Sequence, residues 1–420
     1  MAQLLAPYHN GMRLGQGFNS YTQQICLDKA VLPEASPEAK AVREKLILSK
    51  GGQPANELTA GQIVTYSSRF VDKISDVTDA MNISGSLSIK TATIGGKANG
   101  SYVDSDKFKS SDINFHLQVK VTNQVHEPEL YSIFNPIEGL DDSKFTDVYG
   151  DTFISGWELG GELNAIISMK VNDKSKIFDI KAHLEAELST ASIGGKVEAN
   201  ADITKESLSR DTETTIAVNW SGGGSIKDPG DDWTFGVLKG AAAAFPDLVA
   251  ITPQRTYAIL TKYTALKDFY THYRQYSPLD YENAGIYTSS MLDSYMEYKS
   301  LWKQISFATA ELEGNRATIE FGQPSEEIHQ LALEAEKEPQ LQLIQAAAPI
   351  PTTPDPDPVQ VPIFQASFAG LIAARKTCRF EMAKIVNEVD AVARNPKVAA
   401  DPDRDSYFLN PLVFKQLLPV

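Results

Sequence analysis

At 420 residues the chain can bury one large core with an appendage, or two separate cores. Its formal net charge of −15 excludes nucleic acid as the main partner, because phosphate binding needs a basic face, and it argues against simple attraction to anionic lipid. No run of about 18 apolar residues marks a transmembrane helix.

In chain order, residues 1–10 lack the basic start and apolar core of a secretory signal. The expectation is a soluble form that is secreted by another route or stays cytoplasmic until release. Ile25-Cys26-Leu27 and Ala30-Val31-Leu32 predict an early strand, and residues 33–46 a loop leading into a short helix. Phe70, Val71, Ile74 and Val77 have helical spacing over residues 67–78. Then the period changes. Met81, Ile83, Leu87 and Ile89 alternate with Asn82, Ser84, Ser86, Ser88 and Lys90. After a glycine-rich, charged stretch, Ile113, Phe115, Leu117, Val119 and Val121 alternate with Asn114, His116, Gln118 and Lys120. The layout recurs about a hundred residues later. There Phe178, Ile180, Ala182, Leu184, Ala186 and Leu188 alternate with Asp179, Lys181, His183, Glu185 and Glu187, and Ile216, Val218 and Trp220 alternate with Thr215, Ala217 and Asn219. Even the middles match: Thr91-Ala92-Thr93-Ile94-Gly95-Gly96-Lys97 against Thr190-Ala191-Ser192-Ile193-Gly194-Gly195-Lys196. An internal repeat of this kind predicts two equivalent units flanking a central strand.

That central strand reads Tyr149-Gly150-Asp151-Thr152-Phe153-Ile154-Ser155-Gly156-Trp157-Glu158-Leu159-Gly160-Gly161. Aromatic and β-branched residues suit a pleated strand, and paired glycines inside it mark a kink or a close backbone approach. Ser221-Gly222-Gly223-Gly224-Ser225 predicts a flexible turn. Tyr257, Leu260, Ala265 and Phe269 fit one helix, and Met291, Tyr295, Tyr298, Leu301 and Ile305 a longer one. Residues 346–362 form a Pro-rich connector, residues 364–392 return to helix, and residues 395–420 read as an irregular tail. The two cysteines, Cys26 and Cys378, read as free buried thiols.

Each repeat has the pattern of two strands joined by a turn. A tilted strand crosses a bilayer with about 9–11 residues, one face apolar and the other polar. A single hairpin in lipid leaves its edges unsatisfied, at several kcal/mol per group, so only a closed ring of many copies is viable. These segments are too polar to be inserted from the start. Residues 182–210 contain good helix formers and residues 104–112 suit a short helix, so the stretches are readable in both periods, as a helix-to-hairpin conversion requires. Alternation alone is also the ordinary pattern of a half-buried antiparallel sheet. The duplicated motif around a glycine-kinked strand favours the hairpins.

Residues 149–161 resemble the signature of the membrane-attack-complex/perforin (MACPF) family, with Asp151-Thr152 where many members have Thr-His. Met81-Asn82-Ile83-Ser84-Gly85-Ser86-Leu87-Ser88-Ile89, the glycines Gly95, Gly96 and Gly100, and Val119-Lys120-Val121-Thr122-Asn123 look like the first hairpin region of perforin-like toxins, including fungal and stonustoxin-type members. Residues 176–220 are similar in placement to their second hairpin, and the resemblance covers roughly residues 16–267. It implies an α+β fold: a bent antiparallel central sheet flanked by two helix-cluster hairpin segments, at about 81–124 and 174–220. The pore-forming domain would span 1–320 and a helical region 321–420. Tyr149, Gly150, Thr152, Phe153, Gly156, Gly160 and Gly161 carry the signature and sheet bend, and Gly222, Gly223 and Gly224 a flexible joint. From polarity, Ile83, Leu87, Ile89, Phe115, Leu117 and Val119 are candidates for the lipid face of the first hairpin. Ile180, Leu184, Leu188, Ile216 and Val218 are those of the second. The implied activity is a soluble monomer that binds target membranes, assembles into a ring or arc, and inserts two hairpins per subunit as a β-barrel pore. Its partners are membrane lipids and further copies of itself, with a separate membrane-recruiting protein as an added option. The alternative is a non-lytic membrane-binding or adhesion protein that keeps the fold. Asp179, Lys181, Glu185 and Glu187 all fall opposite Ile180 and Leu184, which favours insertion.

No enzyme, cofactor or metal is expected. The six histidines have no metal-ligand spacing, Gly15-Gln16-Gly17 lacks the third glycine of a dinucleotide loop, and no nucleophile elbow is present. His116 and His183 are placed on solvated or lumen-facing strand faces, with a minor pH-sensing role open to them. The triplets beginning at Asn82, Asn99 and Asn219 read as unmodified, since a sugar there would block insertion. From Phe364 onward, Phe364, Phe368, Leu371, Ile372 and Ala374 share one face, read as packed on the body rather than as a membrane-docking helix.

Overall fold

The structure is a computed structural model that describes residues 4–34, 61–94, 104–123, 131–189, 212–273, 279–314, 364–365, 367–404 and 408–418. The Pro-rich connector at 346–362, the second copy of the duplicated motif, and Gly95, Gly96 and Lys97 of the first lie outside the described residues. The chain divides into two compact units, Met1–Asp280 and Tyr281–Val420. This division falls earlier than residue 320, because the helix Ala284–Glu313 packs against Phe368–Arg394.

The first unit is mixed α/β around a central antiparallel sheet. Its strands are β1 (Leu4–Pro7), β2 (Gly17–Asn19), β3 (Gln24–Ile25), β5 (Gln62–Phe70), β6 (Ile113–Asn123), β8 (Thr152–Val171), β9 (Thr212–Ser221) and β10 (Gln254–Lys262). A small separate pair joins β4 (Val31–Pro33) to β7 (Tyr131–Phe134). The 20-residue β8 is the spine of the sheet. Its first half pairs with β10 and β2, and its second half with β6 and β9. Strand β5 pairs with β6 in an unbroken register from Gln62↔Asn123 to Phe70↔Phe115.

Two insertions interrupt the β5-β6-β8-β9 part of the sheet. The first, residues 71–112, joins β5 to β6 and contains α1 (Ile74–Ala80), α2 (Gly85–Ile94) and α3 (Ser105–Ser110). Helix α4 (Phe145–Tyr149) leads into β8. The second insertion, residues 172–211, joins β8 to β9 and contains α5 (Ile177–Leu188). The pairs Phe70↔Phe115, Ile113↔Met169 and Val171↔Thr212 put both insertions at the same end of the sheet.

Burial follows the strand period. Ile113, Phe115, Leu117, Val119 and Val121 share one face with Leu163, Ala165, Ile167 and Met169. That face is covered by Leu238, Ala242, Phe245 and Val249 of α6 (Phe235–Ile251) and by Ile180, Leu184 and Leu188 of α5. Each fully buried aliphatic side chain is worth about 1.5–3 kcal/mol in transfer terms, so this core anchors the sheet.

Several expected elements differ. Residues 81–90 and 178–188, whose alternation predicts strands, are turn and helix in this state. The helix expected through Tyr257, Leu260, Ala265 and Phe269 is instead strand β10 followed by a 3-10 turn and the short α7 (Phe269–His272). Bulges between Arg255/Tyr257 and Ile259/Leu260 break its alternation and mimic helical spacing. The second unit pairs α8 (Ala284–Glu313) with α9 (Phe368–Arg394). The Tyr281 hydroxyl donates to Ala393 O (2.6 Å) and the Tyr287 hydroxyl to Glu388 (2.9 Å), while Cys378 Sγ meets Tyr298 O, so the two helices run antiparallel. The tail read as irregular carries short 3-10 turns and α10 (Pro411–Gln416), whose Phe414 stacks edge-on against Tyr298.

Candidate functional site: the central strand and its two insertions

The signature residues tie the base of β8 to the N-terminal strands. Gly150 ends α4 at φ +77, and a Cβ there would lie 2.1 Å from Phe18 O, so only glycine fits. Tyr149 is fully buried; its hydroxyl donates to Asn135 O and accepts from Ile137 N, each at 2.8 Å. With Phe153 it joins an aromatic cluster of Phe134, Phe145, Tyr263 and Phe269. Thr152 Oγ1 donates to Phe18 O. Asp151 is buried and accepts from Ser20 N and Ser20 Oγ at 2.7 and 2.6 Å. Burial raises its pKa to about 6, against the opposing pull of the Ser20 hydrogen bonds. Gly156 has ordinary room against Ile259, so its place is not sterically forced.

Gly160 and Gly161 sit where β8 exchanges one pair of neighbours for the other. A Cβ on Gly160 would fall 1.9 Å from Val121 O, and one on Gly161 would fall 2.4 Å from Val249 Cγ2. The two glycines let β6, α6 and the turn after β9 approach the spine together. Gly222, Gly223 and Gly224 all have positive φ, and Gly223 N donates to Thr252 O while Trp220 Nε1 donates to Gly224 O. The turn is thus a hydrogen-bonded one.

The two insertions rest on opposite faces of the sheet. Helix α5 buries Ile180, Leu184 and Leu188, an i, i+4, i+8 row, into the apolar core, and Lys181 Nζ lies 5.2 Å from the centre of the Phe70 ring. Phe178 and His183 on its other sides are exposed. The first insertion lies against the polar face. Gln118 Nε2 donates to Ala80 O (3.0 Å), Gln23 clamps the turn by donating to Asn82 O (2.7 Å) and accepting from Ser84 N (3.1 Å), and Arg69 donates to Asp76 O (2.8 Å). A cleft of about 150 Å³ remains between Met81 and Ile83 on one side and Glu162, Asn164 and Tyr257 on the other. Ser86 of α2 is fully buried with its hydroxyl unpartnered, which costs about 1–3 kcal/mol.

Beneath this insertion runs a buried polar row that the sequence pattern assigns to solvent. Glu162 accepts from Gln118 Nε2 (3.0 Å), Asn164 Nδ2 (2.6 Å) and the Tyr257 hydroxyl. Burial, then the Glu162 charge, push the Tyr257 hydroxyl pKa upward. His116 is buried too, a correction to its expected solvated or lumen-facing place. Its Nε2 meets Asn164 Oδ1 at 3.2 Å, and burial lowers its pKa to about 4 despite that bond. Ser168 Oγ donates to Asn114 Oδ1, and Asn114 Nδ2 to Phe108 O. The signal for this row was the regular polar alternation of β6; what covers it was not readable.

Of the lipid-face candidates, Phe115, Leu117, Val119, Ile180, Leu184 and Leu188 belong to the apolar core, and Ile216 and Val218 pack against it half-buried. Ile83 and Ile89 are buried and Leu87 half-buried in the first insertion, on the other face. Among the described residues no group of three His, Cys, Asp or Glu side chains could hold a metal, and no helix is long and apolar enough to cross a membrane.

No protein-family model matches the chain, and no curated protein matches it in sequence. Among solved structures it is similar to stonustoxin, with 10% identity, 96% of this chain and 46% of that one covered, and a TM-score of 0.39. It is also similar to pneumolysin, described as a sugar binding protein (9% identity, 62% and 59% covered, TM-score 0.34), and to the human-specific toxin intermedilysin (14%, 62% and 50%, 0.28). The chain spans only about half the length of these structures.

Proposed function

We propose that the chain is a non-enzymatic pore-forming protein of MACPF-like architecture. It binds a membrane, assembles with further copies of itself, and refolds residues 71–112 and 172–211 into two hairpins that complete a β-barrel. The observation that carries this reading is the register of the four strands. Continued outward, Phe70↔Phe115 closes between Ala92 and Thr93, and Val171↔Thr212 closes between Ala191 and Ser192. The duplicated motif then forms the tip of each hairpin, and each arm exceeds the 9–11 residues a tilted strand needs.

Extending the same register supports one assignment of faces. Side chains of paired residues share a face, and the period of a strand is two. Met81, Ile83, Leu87 and Ile89 then continue the face of Arg69, and Phe178, Ile180, Ala182, Leu184 and Leu188 continue the face of Glu162 and Asn164; these are one face of the sheet. Two apolar stripes from separate insertions thus point the same way, as a barrel wall in lipid demands. Phe115, Leu117, Val119, Ile216 and Val218 lie on the opposite face, so in a continued register the arms supply the lipid contacts and these residues do not. Asp179, Lys181, His183, Glu185 and Glu187 face the lumen. Gly160 and Gly161 are the place where the sheet opens, and the Gly222 to Gly224 turn the joint.

Dye release from liposomes, with negative-stain imaging of the same samples, tests the reading. Release together with rings or arcs is expected. Membrane binding without release or assemblies would overturn it in favour of a non-inserting membrane protein.

A further inference from the structure

Helix α9 has two different faces. Its inward face buries Leu371, Ala374, Cys378, Ile385 and Val389. The face expected to hold Phe364, Phe368, Leu371, Ile372 and Ala374 together is split: Phe364, Leu371 and Ala374 are buried, whereas Phe368 and Ile372 are 41% and 44% exposed. Further along the same outer side Phe380 is 50% exposed, and Arg375, Lys376 and Arg379 are exposed beside it. Arg375 lies 5.8 Å from the centre of the Trp302 ring of α8, itself 38% exposed, and Lys376 and Arg379 lie 5.8 and 5.5 Å from that of Phe380.

Among the described residues no carboxylate pairs with these cations. The acidic residues of α9 nearest them are turned inward: Glu381 is buried and accepts from Lys384 Nζ and Leu409 N, and Glu388 is fully buried against Arg404 and Tyr287. Among the described residues none forms an ion pair with Arg375, Lys376 or Arg379. In a chain of net charge −15, the stretch Phe368–Phe380 of this face therefore carries three cations and exposed aromatic and aliphatic side chains, with no acidic residue in it. Cations on flexible stems beside Phe, Ile and Trp are what a helix lying in a membrane interface presents. Screening shortens charge effects to about 8 Å at physiological salt, so a local basic patch can attract an anionic surface even in a chain of net negative charge.

We propose that the outer face of α9, with Trp302, docks on a bilayer containing anionic phospholipid. Arg375, Lys376 and Arg379 meet the headgroups, while Phe368, Ile372 and Phe380 enter the headgroup–acyl boundary. The proposal rests on the reading that the chain acts at membranes, but it places recognition in the second unit and insertion in the first.

The test is co-sedimentation of the full chain with phosphatidylcholine vesicles, with and without phosphatidylserine, alongside the variant R375Q/K376Q/R379Q and the single variant F380A. All four side chains are exposed, so circular dichroism is expected to show native folds. Each cation near an anionic surface contributes about fivefold to partitioning. The wild type should bind the phosphatidylserine vesicles selectively, the triple variant about a hundredfold less, and F380A several-fold less. Equal binding by wild type and triple variant, or no wild-type preference for phosphatidylserine, overturns the docking face. A change in oligomeric state of the triple variant with unchanged vesicle binding also overturns it, and assigns the face to a second copy. Dye release separates the two ideas: selective binding without release defeats pore formation and leaves the docking face standing. Release that ignores the triple substitution does the reverse.

Discussion

The two insertions share a sequence motif and leave the same end of the sheet, yet they are stored by different chemistry. The second lays an apolar row, Ile180, Leu184 and Leu188, into a close-packed core. The first covers the polar face, anchored by hydrogen bonds from Gln23, Arg69 and Gln118, with a cleft and an orphaned Ser86 hydroxyl beneath it. The first also buries Ile74, Val77, Met81, Ile83, Ile89 and Phe108, so apolar contact and hydrogen bonds hold it together, whereas the second depends on one apolar helix row. Duplication in sequence therefore does not imply the same mode of packing. In the proposed refolding the second would also carry its apolar stripe from one face of the sheet to the other.

The largest expected effect is on the apolar row. Leu184→Ala should lower the unfolding free energy by about 2–5 kcal/mol in urea titration. A loss under about 1 kcal/mol would contradict the core assignment. Next comes pH. Buried His116 titrates near 4 instead of 6.5, so the unfolded or opened state binds more protons between those values and stability falls as pH drops through that window. Asp151, raised from 3.8 to about 6, works the other way: the folded state binds the extra proton, and stability rises as pH falls from 6 toward 3.8. The net curve is flattened. His116→Asn should remove the first component alone, so that the variant gains on wild type by about 3 kcal/mol near pH 4, with no relative gain above pH 7.

Smaller changes probe the hydrogen-bonded side. Gln118→Ala removes a donor to Ala80 O and to Glu162, and should cost about 1–2 kcal/mol. Amide exchange should accelerate across α1 and α2 and not across α5; equal acceleration would remove the contrast between the insertions. Ser86→Ala deletes the orphaned hydroxyl and should stabilise the closed state by about 1 kcal/mol, slowing dye release while leaving membrane binding unchanged.

Much of this was legible in the chain. The alternation of β6 and β9 and the glycine pair of β8 point to the elements that form, because each of these strands has one face against a core. The alternating runs at 81–90 and 178–188 are strand-like in period but helical or turn in this state. An i, i+4, i+8 row of Ile180, Leu184 and Leu188 is hidden inside a period of two, and packing selects the helix. Strand β10 was masked by its bulges, and α6, rich in alanine with Pro246 inside it, had no polar face to mark its period. The buried row of Asn114, His116, Glu162 and Asn164 was not legible as buried, since polar residues on one strand face look solvated until the covering segment is known. The basic face of α9 was obscured by the acidity of the whole chain, and by a helical wheel that placed Phe368 and Ile372 inward.

In the proposed pore, α5 becomes a membrane strand. The most direct measurement is a single-cysteine scan of residues 178–188, in a background with Cys26 and Cys378 replaced, using an environment-sensitive fluorophore quenched by lipid-borne nitroxide. In solution the burial of probes should follow a helix, with positions 180, 184 and 188 shielded. On vesicles, quenching should switch to strict alternation, strong at 178, 180, 182, 184 and 186 and weak at 179, 181, 183, 185 and 187. Retention of the helical pattern on membranes that the protein binds would contradict the account.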